Sequence, residues 1–394
     1  MESIKHIPLP ERGTKLTEEQ AMKLAISEAY KGATRVSPNP LVGSVVLDAQ
    51  GGFLACGHHE FYGGPHAEVN ALKNLSSAEL KDAHVFVTLE PCAHEGKTPS
   101  CAKMMAKLPL KKVTFGLIDP NPLVAGQGAD ILRNAGIEAE VFSSADLKED
   151  REIKIKLEEV CEAFLWNFRE KKVFVALKMA SSLDGQVALR SGESQWITGP
   201  ESREYVHYLR ACHDAILVGK GTIDFDNPSL NVRHPEINKK NKVVVIDGEA
   251  ELLYRFADLK LAQIHAASDV FWCVAEDMKE NVEKTLKTLS IAPQIIYVKT
   301  NVGGDLNLED LLAQLHLKGL RSVMVEGGAF TASSFVDQGL VNRIYMFQAP
   351  IIMGSGGSRS WTETVRVPTM KDKIHVKNPR YLTFGNDFMI TGTF

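Results

Sequence analysis

Hydrophobic and polar positions alternate in two rhythms along the chain. Apolar residues recur at helical spacing after Thr17, which stands three residues before Gln20 as in a capping box, and Gly32 offers an end for that helix. Short apolar runs of strand length follow in the first half. They predict strands over 42–47, 84–89, 113–118 and 138–142, separated by helices over 67–74, 101–106 and 127–135.

The second half repeats this alternation without copying the first. Leu308, Leu311, Leu312 and Leu315 form one apolar helix face directly before a strand. The predicted strands cover 173–177, 215–218, 243–246, 270–274, 295–298, 322–325 and 343–347. Because short strands and helices alternate in both halves, we predict the α/β class with largely buried sheets.

A charged, helix-favouring stretch from Asp146 to about Glu170 separates the two halves. At about 150 residues per domain, a chain of 394 residues is long enough for two or three domains. We therefore predict two, residues 1–145 and residues 146–394, with the charged stretch as the connector.

Composition narrows the class of protein. A formal net charge of −4 excludes a strongly basic nucleic-acid-binding surface, and six cysteines are too few for a disulfide scaffold of this length. No window approaches 18 consecutive apolar residues, and the first dozen residues are polar, unlike a signal peptide. These features predict a cytoplasmic protein with neither a membrane nor a nucleic acid as its partner.

The candidate chemistry of the first half lies in two segments. His66 and Glu68 open a predicted helix, while Cys92 follows a strand and Cys101 begins the next helix. One imidazole and two thiolates suit Zn²⁺, and three protein ligands leave its fourth position open, as in catalytic sites. Glu68 is poorly placed as a fourth ligand on the same turn as His66, and it is well placed to move a proton.

Zinc deaminases of nucleobases carry H-x-E followed by P-C-x-x-C. This chain has His66-Ala67-Glu68 and Pro91-Cys92, but eight residues separate Cys92 from Cys101. With Pro38-Asn39-Pro40-Leu41-Val42-Gly43 upstream, this widened motif resembles the deaminase half of the bifunctional deaminase–reductase family of riboflavin biosynthesis.

Four motifs of the second half resemble the reductase half of the same family. No G-x-G-x-x-G fingerprint follows a strand, so a Rossmann domain is not supported, and Glu326-Gly327-Gly328 alone is weak evidence for a nucleotide site. The four motifs together, in this order, carry the resemblance. They are Leu183-Asp184-Gly185, Gln195-Trp196-Ile197-Thr198, the run from Asp226 to Arg233, and Glu326-Gly327-Gly328.

The resemblance implies a role for individual residues. It implies zinc bound by His66, Cys92 and Cys101, with Glu68 as the catalytic residue. It implies substrate contacts from Lys178, Ser194, Arg210, Leu230, Arg233 and Glu326, with Asp184 lining the same cleft. It places NADPH near Trp196, Thr222, Asp226 and Gly328. Since phosphate favours bidentate arginine, Arg210 and Arg233 are the available phosphate ligands.

The same resemblance implies a cytidine-deaminase-like α/β/α sandwich followed by a dihydrofolate-reductase-like α/β domain. The first would deaminate 2,5-diamino-6-(5-phosphoribosylamino)pyrimidin-4(3H)-one. The second would reduce the ribosyl group with NADPH, giving 5-amino-6-(5-phosphoribitylamino)uracil. We expect a small phosphorylated pyrimidine as the partner and a homo-oligomer as the assembly.

Other interpretations remain open at this point. The chain could be a nucleic-acid deaminase, a binding protein with a structural zinc, or a bifunctional enzyme with one silent half. Arg210 could be an exposed helix residue, and Trp196 a packed core aromatic. The sequence assigns no role to His58, His59 or His94, and Lys220 either contacts a phosphate or faces solvent. His84 and Cys56 are interpreted as structural.

Overall fold

A computed structural model of the chain describes residues 7–95, 99–121, 125–354, 359–362 and 365–394. The chain forms two compact units, one ending at Glu170 and the other spanning Lys171–Phe394. The boundary lies later than the position between residues 145 and 146 predicted from the sequence. The charged stretch forms two helices, and the first of them buries Ile153 and Leu157 in the core of the first unit.

The first unit contains one five-stranded sheet in the order β2-β1-β3-β4-β5. Strand β1 pairs antiparallel with β2 and β3, whereas β3, β4 and β5 are parallel. Its strands are β1 Gly43–Leu47, β2 Phe53–His58, β3 Ala83–Leu89, β4 Leu110–Leu117 and β5 Glu138–Val141. Its helices are α1 Glu18–Ala29, α2 Ala67–Leu72, α3 Cys101–Met105, α4 Gln127–Asn134, α5 Leu147–Val160 and α6 Glu162–Glu170.

Strand alternation gives this sheet two apolar faces. Val45 and Phe86 pack with α1 and α5 on one face, and Val46 and Val85 pack with α2, α3 and α4 on the other. Helices therefore cover both faces, as the predicted sandwich requires. Helix α1 begins at the predicted capping box, where the side chains of Thr17 and Gln20 each accept the other residue's backbone N–H.

The second unit contains a nine-stranded sheet in the order β11-β10-β9-β8-β12-β6-β13-β16-β15, and a short pair β14-β7. Its strands are β6 Phe174–Ser181, β7 Gln186–Ala188, β8 Ala215–Gly219, β9 Lys242–Ile246, β10 Val270–Ala275, β11 Gln294–Val298, β12 Ser322–Glu326, β13 Arg343–Gln348, β14 Arg359–Ser360, β15 Lys377–Phe384 and β16 Asp387–Thr393. Its helices are α7 Pro200–Cys212, α8 Lys220–Asp226, α9 Lys260–Ile264, α10 Lys279–Leu286, α11 Leu308–Leu317 and α12 Ala329–Asp337.

Seven neighbouring strands of this sheet, from β11 to β13, run parallel, and β16 and β15 add an antiparallel edge. The carboxyl ends of parallel strands meet at one edge, where ligands of open α/β sheets bind. Lys178 and Glu326 are directly paired across β6 and β12 near that edge. The described helices include none with the length and apolar character needed to span a lipid bilayer.

Candidate active sites

Helix α2 presents His66 and Glu68 in different ways. His66 is the N-cap with extended backbone, so its side chain leaves the helix before the first turn. Glu68 lies within that first turn and is only 3% exposed. The two side chains therefore leave the helix separately, yet Glu68 lies close enough to His66 and Cys92 for their charges to act on its carboxyl group.

Cys92 and Cys101 meet because the start of α3 bonds back onto the loop after β3. The backbone N–H of Cys101 donates to Cys92 Sγ at 3.3 Å, and that of Ala102 donates to the Cys92 carbonyl at 3.2 Å. Ser100, the N-cap of α3, donates its hydroxyl to the same carbonyl at 2.7 Å and accepts from Lys103 N. These bonds bring the two cysteines together in space, although eight residues separate them in the sequence.

The three predicted ligands have the geometry of a single metal site. His66 Nδ1 lies 3.6 Å from Cys92 Sγ and 3.4 Å from Cys101 Sγ, and all three ligand atoms lie within 4.8 Å of one another. Tetrahedral Zn²⁺ with ordinary bond lengths separates a nitrogen and a sulfur ligand by about 3.6 Å. The donor set therefore fits zinc, and Glu68 stands beside the ligand set rather than in it.

The electrostatics of the two thiols fit a cation. A hydrogen bond from Cys101 lowers the pKa of Cys92, against the effect of burial, and His66 contributes in the same direction. The same shared proton raises the pKa of Cys101. A metal ion replaces that proton and stabilises both thiolates. Burial, and then the Cys92 sulfur, raises the pKa of Glu68 to about 7, whereas a bound cation lowers it.

Glu90 supports the loop that carries Cys92, a role that was not predicted from the sequence. Its buried carboxylate accepts three backbone N–H groups, from Asp119 at 3.3 Å, Gly126 at 3.0 Å and Ala129 at 3.2 Å. A Cβ on Gly128 would lie 2.0 Å from the carbonyl of Pro91, so α4 packs directly on this loop. An acidic residue between an apolar strand and the proline before Cys92 was the available signal.

His59 lies beside His66 but is not one of the three ligand residues. Its ring lies edge-on to His66 with 5.3 Å between centroids, and its Nδ1 donates to the carbonyl of Pro65 at 3.0 Å. Its Nε2 then accepts from Asn39 Nδ2 at 3.0 Å, so the Pro38-Asn39-Pro40 segment contributes to holding this ring. Burial lowers the pKa of His59 and keeps the ring neutral.

The remaining histidines and Cys56 contribute no ligand to this metal set. His58 Nδ1 lies 3.6 Å from the carboxylate of Glu28, and His84 Nε2 bonds Thr114 Oγ1 at 2.8 Å. His94 is exposed. Burial raises the pKa of Cys56 to about 12, as expected of an inert structural thiol.

In the second unit a cleft of about 1450 Å³ opens at the carboxyl edge of the sheet. The predicted residues that line it are Lys178, Ser194, Trp196, Arg210, Thr222, Asp226, Arg233, Glu326 and Gly328. Leu230 is not among the described lining residues, since its side chain is buried and its carbonyl accepts from Asn241 Nδ2. Asp184 is also placed elsewhere, where its carboxylate accepts the N–H groups of Met353 and Gly354.

Arg210 forms a buried bidentate ion pair with Glu326. Its Nε and Nη2 donate to the two carboxylate oxygens at 2.7 and 2.9 Å, and its Nη1 donates to the carbonyl of Asn231 at 3.0 Å. Burial opposes both charges, yet the pair raises the pKa of Arg210 and lowers that of Glu326. Arg210 is therefore buried rather than an exposed helix residue, and Arg233 is the freer arginine of the two.

His207 is a further cleft residue that was not predicted from the sequence. Its Nδ1 accepts the backbone N–H of Arg233 at 3.2 Å, and burial, followed by the two nearby arginines, lowers its pKa to about 4. It lies three residues before Arg210, on the same face of α7. A polar residue one turn before a buried arginine was the signal.

The glycine turn after β12 leaves backbone exposed to the cleft. Gly327 and Gly328 have φ of +99° and +55°, and a Cβ on Gly327 would lie 2.5 Å from Thr222 Oγ1. Gly328 is the N-cap of α12 and provides no side chain to cap the helix. Trp196 is 68% exposed, which excludes a core role, and Arg203 stacks on its ring at 4.6 Å.

Two family descriptions match the chain, one in each half. The cytidine and deoxycytidylate deaminase zinc-binding region matches residues 15–117, and the RibD C-terminal domain matches residues 173–390. The riboflavin biosynthesis protein RibD of Bacillus amyloliquefaciens is 34% identical over 374 residues, covering 95% of both chains. That of Aquifex aeolicus is 35% identical and covers 95% of this chain and 97% of its own. This chain belongs to the RibD family.

Solved structures of the RibD family share the whole fold. Acinetobacter baumannii RibD has a TM-score of 0.79 at 30% identity, covering 95% of this chain and 98% of its own. A Thermotoga maritima protein, titled a diaminohydroxyphosphoribosylaminopyrimidine deaminase/5-amino-6-(5-phosphoribosylamino)uracil reductase, has a TM-score of 0.77 with the same identity and coverage. The predicted fold class and the membership predicted from the motifs are confirmed.

The buried pair of this RibD-family chain has a measurable consequence for stability. Arg210→Met leaves the Glu326 carboxylate buried without its partner, and we expect the free energy of unfolding to fall by about 3 kcal/mol. The two side chains are 13% and 9% exposed, so solvent screens them little. Urea unfolding measures the change. The double variant Arg210→Met/Glu326→Leu should recover part of the loss, and a loss below about 1 kcal/mol in the single variant would contradict this account.

Proposed function

We propose that this chain catalyses two consecutive steps of riboflavin biosynthesis. The first unit deaminates 2,5-diamino-6-(5-phosphoribosylamino)pyrimidin-4(3H)-one, and the second reduces the ribosyl group of the product to ribityl. The observation that carries the proposal is the zinc-compatible triad with the buried carboxyl of Glu68 beside it. The activities named for the Thermotoga maritima relative support the same pair of reactions.

In the deaminase unit, protein residues hold the metal and move the proton. His66, Cys92 and Cys101 would hold zinc, which when bound supplies a water nucleophile at neutral pH. Glu68 would take a proton from the attacking water and pass it to the ring nitrogen beside the reacting carbon. It would then carry the second water proton to the departing amino nitrogen, so that ammonia leaves and a carbonyl oxygen takes its place.

In the reductase unit, protein residues bind and orient the substrate. Lys178, Arg210 and Glu326 form a charged group at the ends of β6 and β12, and Arg210 holds the Glu326 carboxylate in a fixed orientation. Arg233 lies at the exposed side of this group and is suited to bind the substrate phosphate. His207 fixes the backbone of Arg233 and acts as a positioning residue.

The residues of the cleft fit NADPH, which supplies the hydride for the reduction. The nine-residue helix α12 has Gly328 as its N-cap and no side-chain cap, so its first N–H groups and positive end favour a pyrophosphate. Thr222 packs against the glycine turn, and Trp196 presents an exposed ring at the same cleft. Asp226 lies on α8, which also lines the cleft.

A cytoplasmic location and a homo-oligomeric assembly are part of the proposal. All six cysteines are free thiols, which supports a reducing compartment. The edge strand β15 pairs only with β16 among the described strands, and its free edge supports association between copies. The net charge of −4 supports a small-molecule substrate rather than a nucleic acid.

Separate measurements of the two activities test the two-site proposal. Arg233→Ala removes the candidate phosphate ligand, and we expect KM in the reductase reaction to rise by a factor equivalent to about 1.5–3 kcal/mol. Ammonia release should stay within about twofold of the parent, because every predicted deaminase residue belongs to the first unit. Lys260→Gln, on an exposed residue outside the described cleft lining, is the control. Joint loss of both activities in folded Arg233→Ala would contradict two separate sites.

A further inference from the structure

The sheet order fixes which end of the dinucleotide lies where, given the proposed function. In the proposed function the reacting end adjoins Lys178 and Glu326, which pair across β6 and β12, and the pyrophosphate binds at the N-cap Gly328, after β12. The cleft continues past β8 to the loops after β9, β10 and β11. Since strands are about 4.8 Å apart, β10 lies roughly 14 Å from β12. The adenosine end of the cofactor therefore lies against those loops.

This adenosine end carries mostly negative charge. The charged residues that the three loops contribute to the described lining are Glu249, Glu251, Asp277 and Asp305, with no lysine or arginine among them. Such a lining suits ribose hydroxyls, and it disfavours the extra phosphate that distinguishes NADPH from NADH. A positive charge is needed there if the 2′-phosphate is to bind.

Lys220 is placed to provide that charge. It is the first residue of α8, directly after β8, and it lines the cleft. Its ammonium group forms an ion pair with Glu251, which lies in the loop after the neighbouring strand β9. Both side chains are roughly half exposed, at 44% and 48%, so the pair is weak and can exchange partners.

We propose that Lys220 is the residue that lets this reductase bind the 2′-phosphate of NADPH, and that Glu251 competes with the phosphate for it. When NADPH binds, the lysine exchanges a carboxylate for a doubly charged phosphate. When NADH binds, the Lys220–Glu251 pair stays intact and Glu249 faces the ribose hydroxyls. The lysine and its carboxylate partner thus set the preference between the two cofactors.

Binding of the two oxidised cofactors tests the proposed role of Lys220 without turnover. Dissociation constants for NADP⁺ and NAD⁺ are measured by calorimetry on the full-length parent, Lys220→Gln and Glu251→Gln. We expect Lys220→Gln to weaken NADP⁺ binding about tenfold or more, the size of one charge-assisted hydrogen bond, and to change NAD⁺ binding less than about twofold. Glu251→Gln should tighten NADP⁺ binding severalfold, because the competing carboxylate is gone.

Two controls separate this inference from its alternatives. Lys220→Arg keeps the positive charge and should retain at least half of the NADP⁺ preference. Lys260→Gln removes an exposed lysine at the start of α9, outside the described cleft lining, and should change neither constant. Equal weakening of both cofactors in Lys220→Gln, or no change in either, overturns the role of Lys220. A parent that binds neither cofactor contradicts the proposed reductase function itself.

Discussion

Replacing Cys101 with serine should remove both zinc and deamination. Cys101 supplies one of three ligand atoms that lie within 4.8 Å of one another, and a serine hydroxyl is a much poorer ligand for Zn²⁺ than a thiolate. Elemental analysis of the purified protein should fall from about one zinc per chain to a small fraction of that. Ammonia release should fall below detection with it.

The matched control is another cysteine of the same unit. Cys56 on β2 is partly buried, and we assign it no ligand role, so Cys56→Ser should keep its zinc and its deaminase activity. Reduction of the deaminated intermediate should proceed in both variants, because the cleft residues lie in the second unit. Full zinc content in Cys101→Ser, or a parent without zinc, would contradict the ligand assignment.

Local sequence patterns predicted those elements whose hydrophobic pattern is regular. The strand runs 215–218 and 322–325 became fully buried parallel strands, and the capping box at Thr17 marked the start of α1. Strand β2 was missed because Cys56 and His58 interrupt its apolar pattern. Strand β15 was missed because it is an edge strand with mostly exposed residues, whose place in the sheet depends on pairing with β16.

The boundary between the two units was also difficult to predict from local sequence patterns. The stretch after Asp146 is highly charged, and its helix α5 buries only Ile153, Leu157 and Val160. Three buried side chains spaced along a charged helix leave a faint pattern, so the sequence indicated a connector. Helix α5 belongs to the first unit because it packs against the sheet of that unit, and no local sequence pattern specifies this packing.

Motif spacing predicted the metal site better than it predicted the reductase site. His66, Cys92 and Cys101 come together because each stands at a helix start or in the loop that α3 bonds onto, and such positions are visible in the sequence. Arg210 and Glu326 are 116 positions apart, and their pairing across the cleft is tertiary. The sequence therefore assigned both to the substrate, and the structure shows that they bind each other.

Replacing Glu68 with glutamine should separate the chemistry from metal binding. Glutamine has nearly the same size and hydrogen-bonding reach as glutamate, but it cannot accept the proton of the attacking water. We expect the rate of ammonia release to fall by about 10²–10⁴, the usual contribution of a general acid–base group. Because Glu68 is buried, the neutral side chain costs less to bury than the carboxylate, and the variant should fold normally.

Zinc content decides between the two roles open to Glu68. If it moves the proton, Glu68→Gln keeps about one zinc per chain while ammonia release is lost. If it is a fourth ligand, zinc and activity fall together, as in Cys101→Ser. The geometry favours the first outcome, since the ligand set comprises His66, Cys92 and Cys101. Glu138→Gln, on an exposed carboxylate at the start of β5, should leave both quantities unchanged. Near-normal ammonia release by zinc-loaded Glu68→Gln would show that another group carries the proton.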